Sequence, residues 1–409
     1  MKEKKKLSLP AWIFIGMLAG IAAGLIFAFA GLGDFTTEWV KPIGTIYVNL
    51  LKFLVVPVVL FSIADGVVSL KDLKRVGSVG LKTFVYYMIT TALAVVIGLV
   101  LVNLFKGSFT PLPSADLGAL EYEAKEAPSV MQVIVNIFPS NLLQPMVSSD
   151  MLPVIVTAIF LGAGVLAAGE KGQKIAELIN CMEEVIMKIM MMIIKFTPIG
   201  VFCTIVPVVE ANGTKTIVSL ATQLIILYVA FYGFAIVVYG GAVKLIGKTS
   251  PVKFFKAIMP AALNAFGTCS SSATIPISKR CVEKELGVSN QISRIAIPLG
   301  ATVNMDAVSI LMSFMIMFFA NACGINVSIS MMVIILLANV LLSVGTPGIP
   351  GGAIASFAAL ATMAGLPAGV MGVYISINTL CDMGATCVNV IGDMAGCVVL
   401  QEKIKLEEN

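Results

Sequence analysis

The chain has 409 residues, of which 58% are hydrophobic and only 12% charged, and its mean hydropathy is +0.99. A water-soluble core cannot use that much apolar surface, which excludes a soluble globular fold. The net charge of +4 sits in short basic clusters between apolar segments, the pattern of cytoplasmic loops, so no nucleic-acid partner is expected.

Crossing a hydrocarbon layer about 30 Å thick takes roughly 20 apolar residues, so this length allows on the order of eight to ten spans with short loops. The basic start MKEKKK is followed by an apolar stretch from Leu9 to about Phe35; it resembles a signal peptide without a cleavage site and is read as a retained first span. Apolar run length predicts spans at 8–31, 42–68, 79–105, 128–168, 183–209 and 217–246, with two further long helices beyond them. The fourth region is too long for one crossing and contains Pro139, Pro145 and Pro153, which predicts several helical pieces. Basic residues at Lys2 and Lys4–Lys6, at Lys71, Lys74 and Arg75, at Lys171 and Lys174, and at Lys244, Lys248, Lys253 and Lys256 fall in alternate loops. The loop carrying Asp116, Glu121, Glu123 and Glu126 falls on the opposite side. The excess of Lys and Arg on one side predicts a multi-pass protein of the inner (cytoplasmic) membrane with both termini in the cytoplasm. Eight Cys occur without a CxxC pair and His is absent; a zinc or haem site therefore has no support, and free buried thiols are expected.

From about Pro251 the pattern changes. Two apolar stretches are interrupted by small, hydroxyl and Pro/Gly residues, and each is followed by a helix read as unbroken. The first interruption is Gly267 to Pro276 (GTCSSSATIP), before the helix with Asn304, Met305 and Asp306; the second is Ser343 to Gly352 (SVGTPGIPGG), before the helix with Asp382, Thr386, Asn389 and Asp393. Paired interruptions in corresponding positions point to a transporter site built from a repeat. Irregular backbone survives at membrane depth only where protein or a water-filled cavity satisfies its polar groups, so each interruption predicts a re-entrant tip. Helix N-termini at such tips offer N–H groups to an anion such as a carboxylate, and the serine run adds donors. The competing reading, hydroxyls bonded back to helix carbonyls, suits a single serine better than a serine run inside a Gly/Pro break.

Asp306, Asp382 and Asp393 lie in a stretch with no Lys or Arg between Arg294 and Lys403. An ionised carboxylate at membrane depth costs several kcal/mol unless it is paired, protonated or bound to an ion. Bound hard cations such as Na+ are the natural partners, since they prefer carboxylate, amide and carbonyl oxygens. Asn304, Asp306, Asn389 and Asp393 supply such oxygens, and Asp382, Thr386, Asn389 and Asp393 form one helical stripe.

At these residues the chain resembles the glutamate transporter homologue family, the dicarboxylate/amino acid:cation symporters. TCSSSATIP, GATVNMDAVS, SVGTPGIPGG and CDMGATCVNVIGD occur in the family's order, and the likeness extends over essentially the whole chain. The resemblance implies an all-α polytopic fold with eight transmembrane helices, two re-entrant helical hairpins and inverted repeats. It further implies a homotrimer, and a transport domain that moves against a scaffold as an elevator. By this likeness residues 1–78 hold scaffold helices 1 and 2, 79–127 transport-domain helix 3 and an extracellular loop, 128–182 broken scaffold helix 4, and 183–216 scaffold helix 5. Helix 6 of the transport domain falls at 217–250, hairpin 1 and helix 7 at 251–325, and hairpin 2 and helix 8 at 326–409, with the hairpins near 253–283 and 328–364. The second hairpin is the expected extracellular gate.

The resemblance also implies site residues. One sodium site uses Gly300, Asn304, Asn389 and Asp393, and a second uses Tyr87, Thr90, Thr91, Asn304 and Asp306. A third uses Thr302 and Met305 with backbone carbonyls of Ser343, Val344 and Thr346. Asp382 is matched with the substrate's α-amino group. Ser271, Asn389 and the backbone around Ile349 are matched with its α-carboxylate, with Thr386 beside them, and Ser270 and Gly352 complete the expected substrate-binding residues. Several Na+ ions per cycle, a small amino acid and membrane lipid are the expected partners.

Ala385 departs from the family pattern, because acidic-substrate members carry there an Arg that clasps the side-chain carboxylate. Losing a bidentate charged contact in a dry site costs several kcal/mol. Val308 and Asn378 also replace the Thr and Asp common in those members. With Asp382 retained, the expected substrate is a neutral amino acid such as serine, threonine, alanine or cysteine; the alternative is a proton- or sodium-coupled symporter of acidic amino acids or dicarboxylates. An enzyme is not expected, since a serine hydrolase built on Ser270–Ser272 would lack a His or Lys base. A channel would conduct without a solute, whereas two gated tips around a midplane site favour alternating access.

Overall fold

A computed structural model describes residues 9–75, 78–105, 135, 138–148, 151–212, 214–325, 327–344, 346–367 and 369–403. Every regular element among them is helical, as a bilayer demands of a chain that must satisfy its own backbone groups. The first half comprises α1 (Leu9–Ala30), α2 (Lys41–Arg75), α3 (Ser78–Phe105), α4 (Met151–Ala167), α5 (Gln173–Ile194) and α6 (Thr197–Asn212). Next comes α7 (Thr214–Phe234), which continues through a π-helical turn at Ala235–Tyr239 to a last turn at Gly240–Leu245. The remaining elements are α8 (Pro251–Thr268), α9 (Ser271–Arg280), α10 (Asn290–Val303), α11 (Asp306–Ala322), α12 (Ile329–Val344), α13 (Ala353–Met363) and α14 (Val370–Lys403). Six described helices are long and apolar enough to cross a membrane, or seven if the bent α5–α6 pair is one span.

Packing divides the helices by neighbour. α1 lies along α6, and α2 touches α4, α5 and α6, whereas α14 gathers α8, α10 and α11, and α3 lies against α11. The α1–α6 contact is close because Gly16, Gly20 and Gly24 fall on one face of α1; a Cβ at Gly24 would lie 2.8 Å from the Val209 side chain and 2.9 Å from Val206 O. Small residues at a four-residue spacing let two membrane helices approach this way. The 290–322 region and α14 form the centre of the molecule, with every residue of α11 up to Ala320 buried.

The structure differs from the sequence reading at three places. The segment expected from 183 begins at Gln173: Lys174, Glu177, Glu183, Glu184 and Lys188 interrupt the apolar run without interrupting the helix, whose buried face is Ile179, Ile186, Met190, Ile193 and Ile194. A 56° bend separates it from α6, where Pro198 cannot supply an N–H to continue the ladder. The helix around Asn304 is broken, not continuous: Asn304 (φ −85°, ψ 80°) ends α10 and Met305 (φ −107°, ψ 45°) precedes α11. Its lost backbone bond is replaced from the side, since Ala307 N–H donates to Asn389 Oδ1 at 2.8 Å. Finally, the first interruption is narrower than its sequence suggests, because only Cys269 and Ser270 leave the helical path between α8 and α9. The acidic loop at 116–126 and the basic Lys2–Lys6 start lie outside the described residues.

Candidate ion and substrate site

The break between α10 and α11 sits against α14 and α3 and assembles a cluster of oxygens. Thr91 Oγ1 donates to Asp306 Oδ1 at 2.6 Å and Tyr239 OH donates to Asp306 Oδ2 at 2.7 Å. Asn304 Nδ2 donates to Asp393 Oδ1 at 2.8 Å and to Asn389 O at 3.1 Å. Tyr87 OH reaches Ala296 O at 3.0 Å and Asp393 O at 3.3 Å, and Thr90 Oγ1 returns to Tyr87 O at 3.1 Å. Gly300 faces the Asp393 carboxylate so closely that a Cβ would collide with it, and would lie 2.9 Å from Tyr87 OH. Glycine is therefore required here for the approach of backbone to carboxylate. Tyr87, Thr90, Thr91, Gly300, Asn304, Asp306, Asn389 and Asp393 are thus one buried cluster. Asn304 Oδ1 is buried in it with no hydrogen-bond partner, and among the described residues neither carboxylate has a Lys or Arg within 4.0 Å.

Those features fit a small hard cation. The available donors are carboxylate, amide, hydroxyl and carbonyl oxygens, and a buried acceptor without a donor is costly unless something positive satisfies it. Sequence reasoning missed Tyr239, which belongs to the same cluster through Asp306; its only signal is a phenol within an apolar span, which needs a partner for its O–H.

Asp382 lies two turns before Asn389 on α14, between Thr386 and the second tip. Its Oδ1 accepts from Thr386 Oγ1 at 3.0 Å and its Oδ2 from Gly351 N–H at 3.0 Å, where the positive φ of 75° at Gly351 turns the chain. The two tips touch: Ser270 Oγ donates to Gly348 O at 2.9 Å and Ser272 N–H to the same oxygen at 3.1 Å. Ser270 also caps α9 by accepting Ala273 N–H at 3.1 Å, so its hydroxyl is engaged in both senses, as a cap and as a clasp. Ser271 is buried in the first turn of α9, and Ala385 is fully buried one turn from Asp382. Gly352 packs its backbone onto Pro347 O and Ile349 O.

The residues of the third expected ion site are more dispersed. Met305 Sδ accepts Asn389 Nδ2 at 3.3 Å, on the cluster side. Thr302 bonds back to Leu299 O at 3.0 Å, Ser343 to Val340 O at 2.7 Å, and Thr346 to Leu342 O and Ser356 Oγ, both at 2.8 Å. Thr302, Val344, Thr346 and Ile349 share a cavity of about 700 Å3 that extends from the tips to Asp65 on α2, Glu183 on α5 and Arg294 on α10.

Broken helices, touching tips and buried carboxylates gathered around a central pair of helices define a multi-pass membrane transporter of the symporter class. The chain belongs to the Sodium:dicarboxylate symporter family, whose model matches residues 9–403. It is 31% identical over 405 residues to the proton/sodium-glutamate symport protein of Bacillus caldotenax, covering 97% of this chain and 95% of that one. It is 27% identical over 407 residues to the C4-dicarboxylate transport protein of Bacillus subtilis (strain 168), covering 98% and 95%. The family consists of symporters, not enzymes, and its coupling ions are Na+ or H+.

Proposed function

We propose that this chain is a sodium-coupled symporter of a small neutral amino acid, with serine, threonine, alanine and cysteine as the first candidates. The observation that carries the ion assignment is the orphaned Asn304 Oδ1 beside two buried carboxylates without basic partners. Gly300, Asn304, Asn389 and Asp393 would hold one sodium, and Tyr87, Thr90, Thr91, Asn304 and Asp306 another, with Tyr239 anchoring Asp306. The third ion would use Thr302, Met305 and the carbonyls of Ser343, Val344 and Thr346. Asp382 would receive the substrate's ammonium group, displacing its bond from Gly351 N–H, while Ser271, Asn389 and the backbone around Ile349 and Gly352 hold the carboxylate.

The substrate class rests on Ala385. A methyl group in a fully buried position offers a second carboxylate no compensation, and a desolvated unpaired charge costs more than binding supplies. The names of the relatives favour a second reading, in which the chain carries an acidic amino acid or a C4-dicarboxylate, with protons loading Asp306 and Asp393. We further place the chain in the inner membrane as a homotrimer of eight transmembrane helices and two hairpins. In this scheme the α1, α2, α4, α5 and α6 group is the scaffold, and the α3, α7 and α8–α14 group moves as an elevator.

The test is uptake into proteoliposomes driven by a sodium gradient, comparing labelled serine, threonine, alanine and aspartate, with a proton gradient alone as control. Sodium-dependent uptake of a neutral amino acid with aspartate inert is the expected result. Aspartate uptake would overturn the substrate class, and uptake driven by protons alone would overturn the ion sites.

A further inference from the structure

A second feature stands apart from the candidate site, at the far end of the α8–α9 pair from its tip. There α8 and α9 leave a cleft of about 460 Å3 lined by Lys253, Lys256, Arg280 and Glu285, floored by Pro260 and Ile277. Three cations face one carboxylate, and among the described residues none of the three cations forms an ion pair within 4.0 Å. Cations held together without counter-charges repel one another, and an anion that enters the cleft relieves that repulsion.

The surroundings specify which anion. Val252, Met259 and Leu263 are 78%, 48% and 64% exposed and fall with Lys256 on one face of α8, at i, i+4, i+7 and i+11. Lys253 and Lys256 belong to the first turns of α8, while Leu263 lies about 10 Å deeper along the axis than Lys256. A charged cleft at the helix foot that continues into an apolar stripe along the helix matches a molecule with an anionic head and a long apolar tail. A free phosphate or a soluble metabolite would use the cleft alone and gain nothing from the stripe.

We propose that this cleft binds the phosphate headgroup of an anionic phospholipid, with an acyl chain laid along Met259 and Leu263. That it opens at the cytoplasmic surface rests on the topology proposed above; the binding itself does not. Basic clusters at this depth are attracted to anionic lipid by about 1 kcal/mol per cation, or about fivefold in affinity. Because α8 ends and α9 begins at the tip that clasps Gly348, a lipid at the opposite end of the pair would brace the tip.

The test is native mass spectrometry of the whole protein in detergent, titrated with phosphatidylglycerol or with phosphatidylcholine. One phosphatidylglycerol per protomer retained in preference to phosphatidylcholine is expected. Each of Lys253→Gln, Lys256→Gln and Arg280→Gln should lower retention about fivefold, and single variants keep the result independent of whether a combined variant folds. A control that removes three charges elsewhere, Lys171→Gln with Lys174→Gln and Lys195→Gln, should retain lipid as the unmodified protein does. Equal retention of phosphatidylcholine, undiminished retention by the single variants, or equal loss in the control would overturn the proposal. Displacement of the lipid by glycerol 1-phosphate at equal concentration would also overturn it, since the headgroup alone would then account for the binding. None of these readouts depends on which solute is transported, so failure here leaves the transport reading intact.

Discussion

Helices α1 and α14 are both long enough to cross a bilayer, yet they do opposite things. α1 is the more apolar of the two and lies mostly at the surface, whereas α14 is the less apolar and is almost wholly buried. In a soluble protein the more apolar helix would be the inner one. In lipid the order inverts, because hydrocarbon solvates an apolar face at no cost while carboxylates and amides must find protein or an ion. The two helices use their residues differently: α1 uses its glycines to fit against α6, and α14 brings the buried Asp382, Asn389 and Asp393 to the candidate site.

The largest expected effect comes from removing a carboxylate at the centre. Asp393→Ala leaves Asn304 Nδ2 without its 2.8 Å partner and should weaken sodium binding by about 3 to 5 kcal/mol, read as a shift in the sodium titration of substrate binding. Ala385→Arg combined with Asn378→Asp should move preference towards aspartate by about 2 to 5 kcal/mol, measured as the ratio of aspartate to serine uptake. If the folded double variant still carries only the original substrate, Ala385 does not decide specificity. Tyr239→Phe and Thr91→Val each remove one donor to Asp306 and should each cost about 1.5 to 3 kcal/mol of sodium binding. Gly24→Ala crowds Val206 and Val209 on α6 and should destabilise the fold by about 1 to 3 kcal/mol; thermal unfolding should register it while sodium affinity stays unchanged. Smallest of all, Leu18→Ala on the half-exposed side of α1 should change unfolding by within about 0.5 kcal/mol and transport not at all. A loss of sodium coupling in either α1 variant would erase the contrast between the two helices.

Much of this organisation was legible in the residues themselves. Composition excludes a soluble fold, and apolar run length places α1, α3 and α7 within a few residues. The cluster around Asp306 and Asp393 could be anticipated because an acidic residue in a span without Lys or Arg has few ways to be neutralised. Three features were not legible. The start of α5 was missed because an amphipathic helix does not register as an apolar run. The break at Asn304 was missed because it is maintained from another helix, by Asn389 accepting Ala307 N–H, and no local signal encodes a partner 82 residues away. Tyr239 was missed for the same reason, its role arising only where the π-helical turn of α7 meets α11. Motifs pointed to the residues that the fold gathers into one buried cluster, and long-range packing decided how their oxygens are shared.

The most direct test of sodium-coupled binding at the α10–α14 cluster is calorimetric titration of the purified protein with serine and with aspartate, in sodium and in choline chloride. A binding heat from serine or another small neutral amino acid that appears only in sodium, is absent for aspartate and is lost in Asp393→Ala is the expected result. Binding that persists in choline, or aspartate heat equal to that of the neutral amino acids, would contradict it.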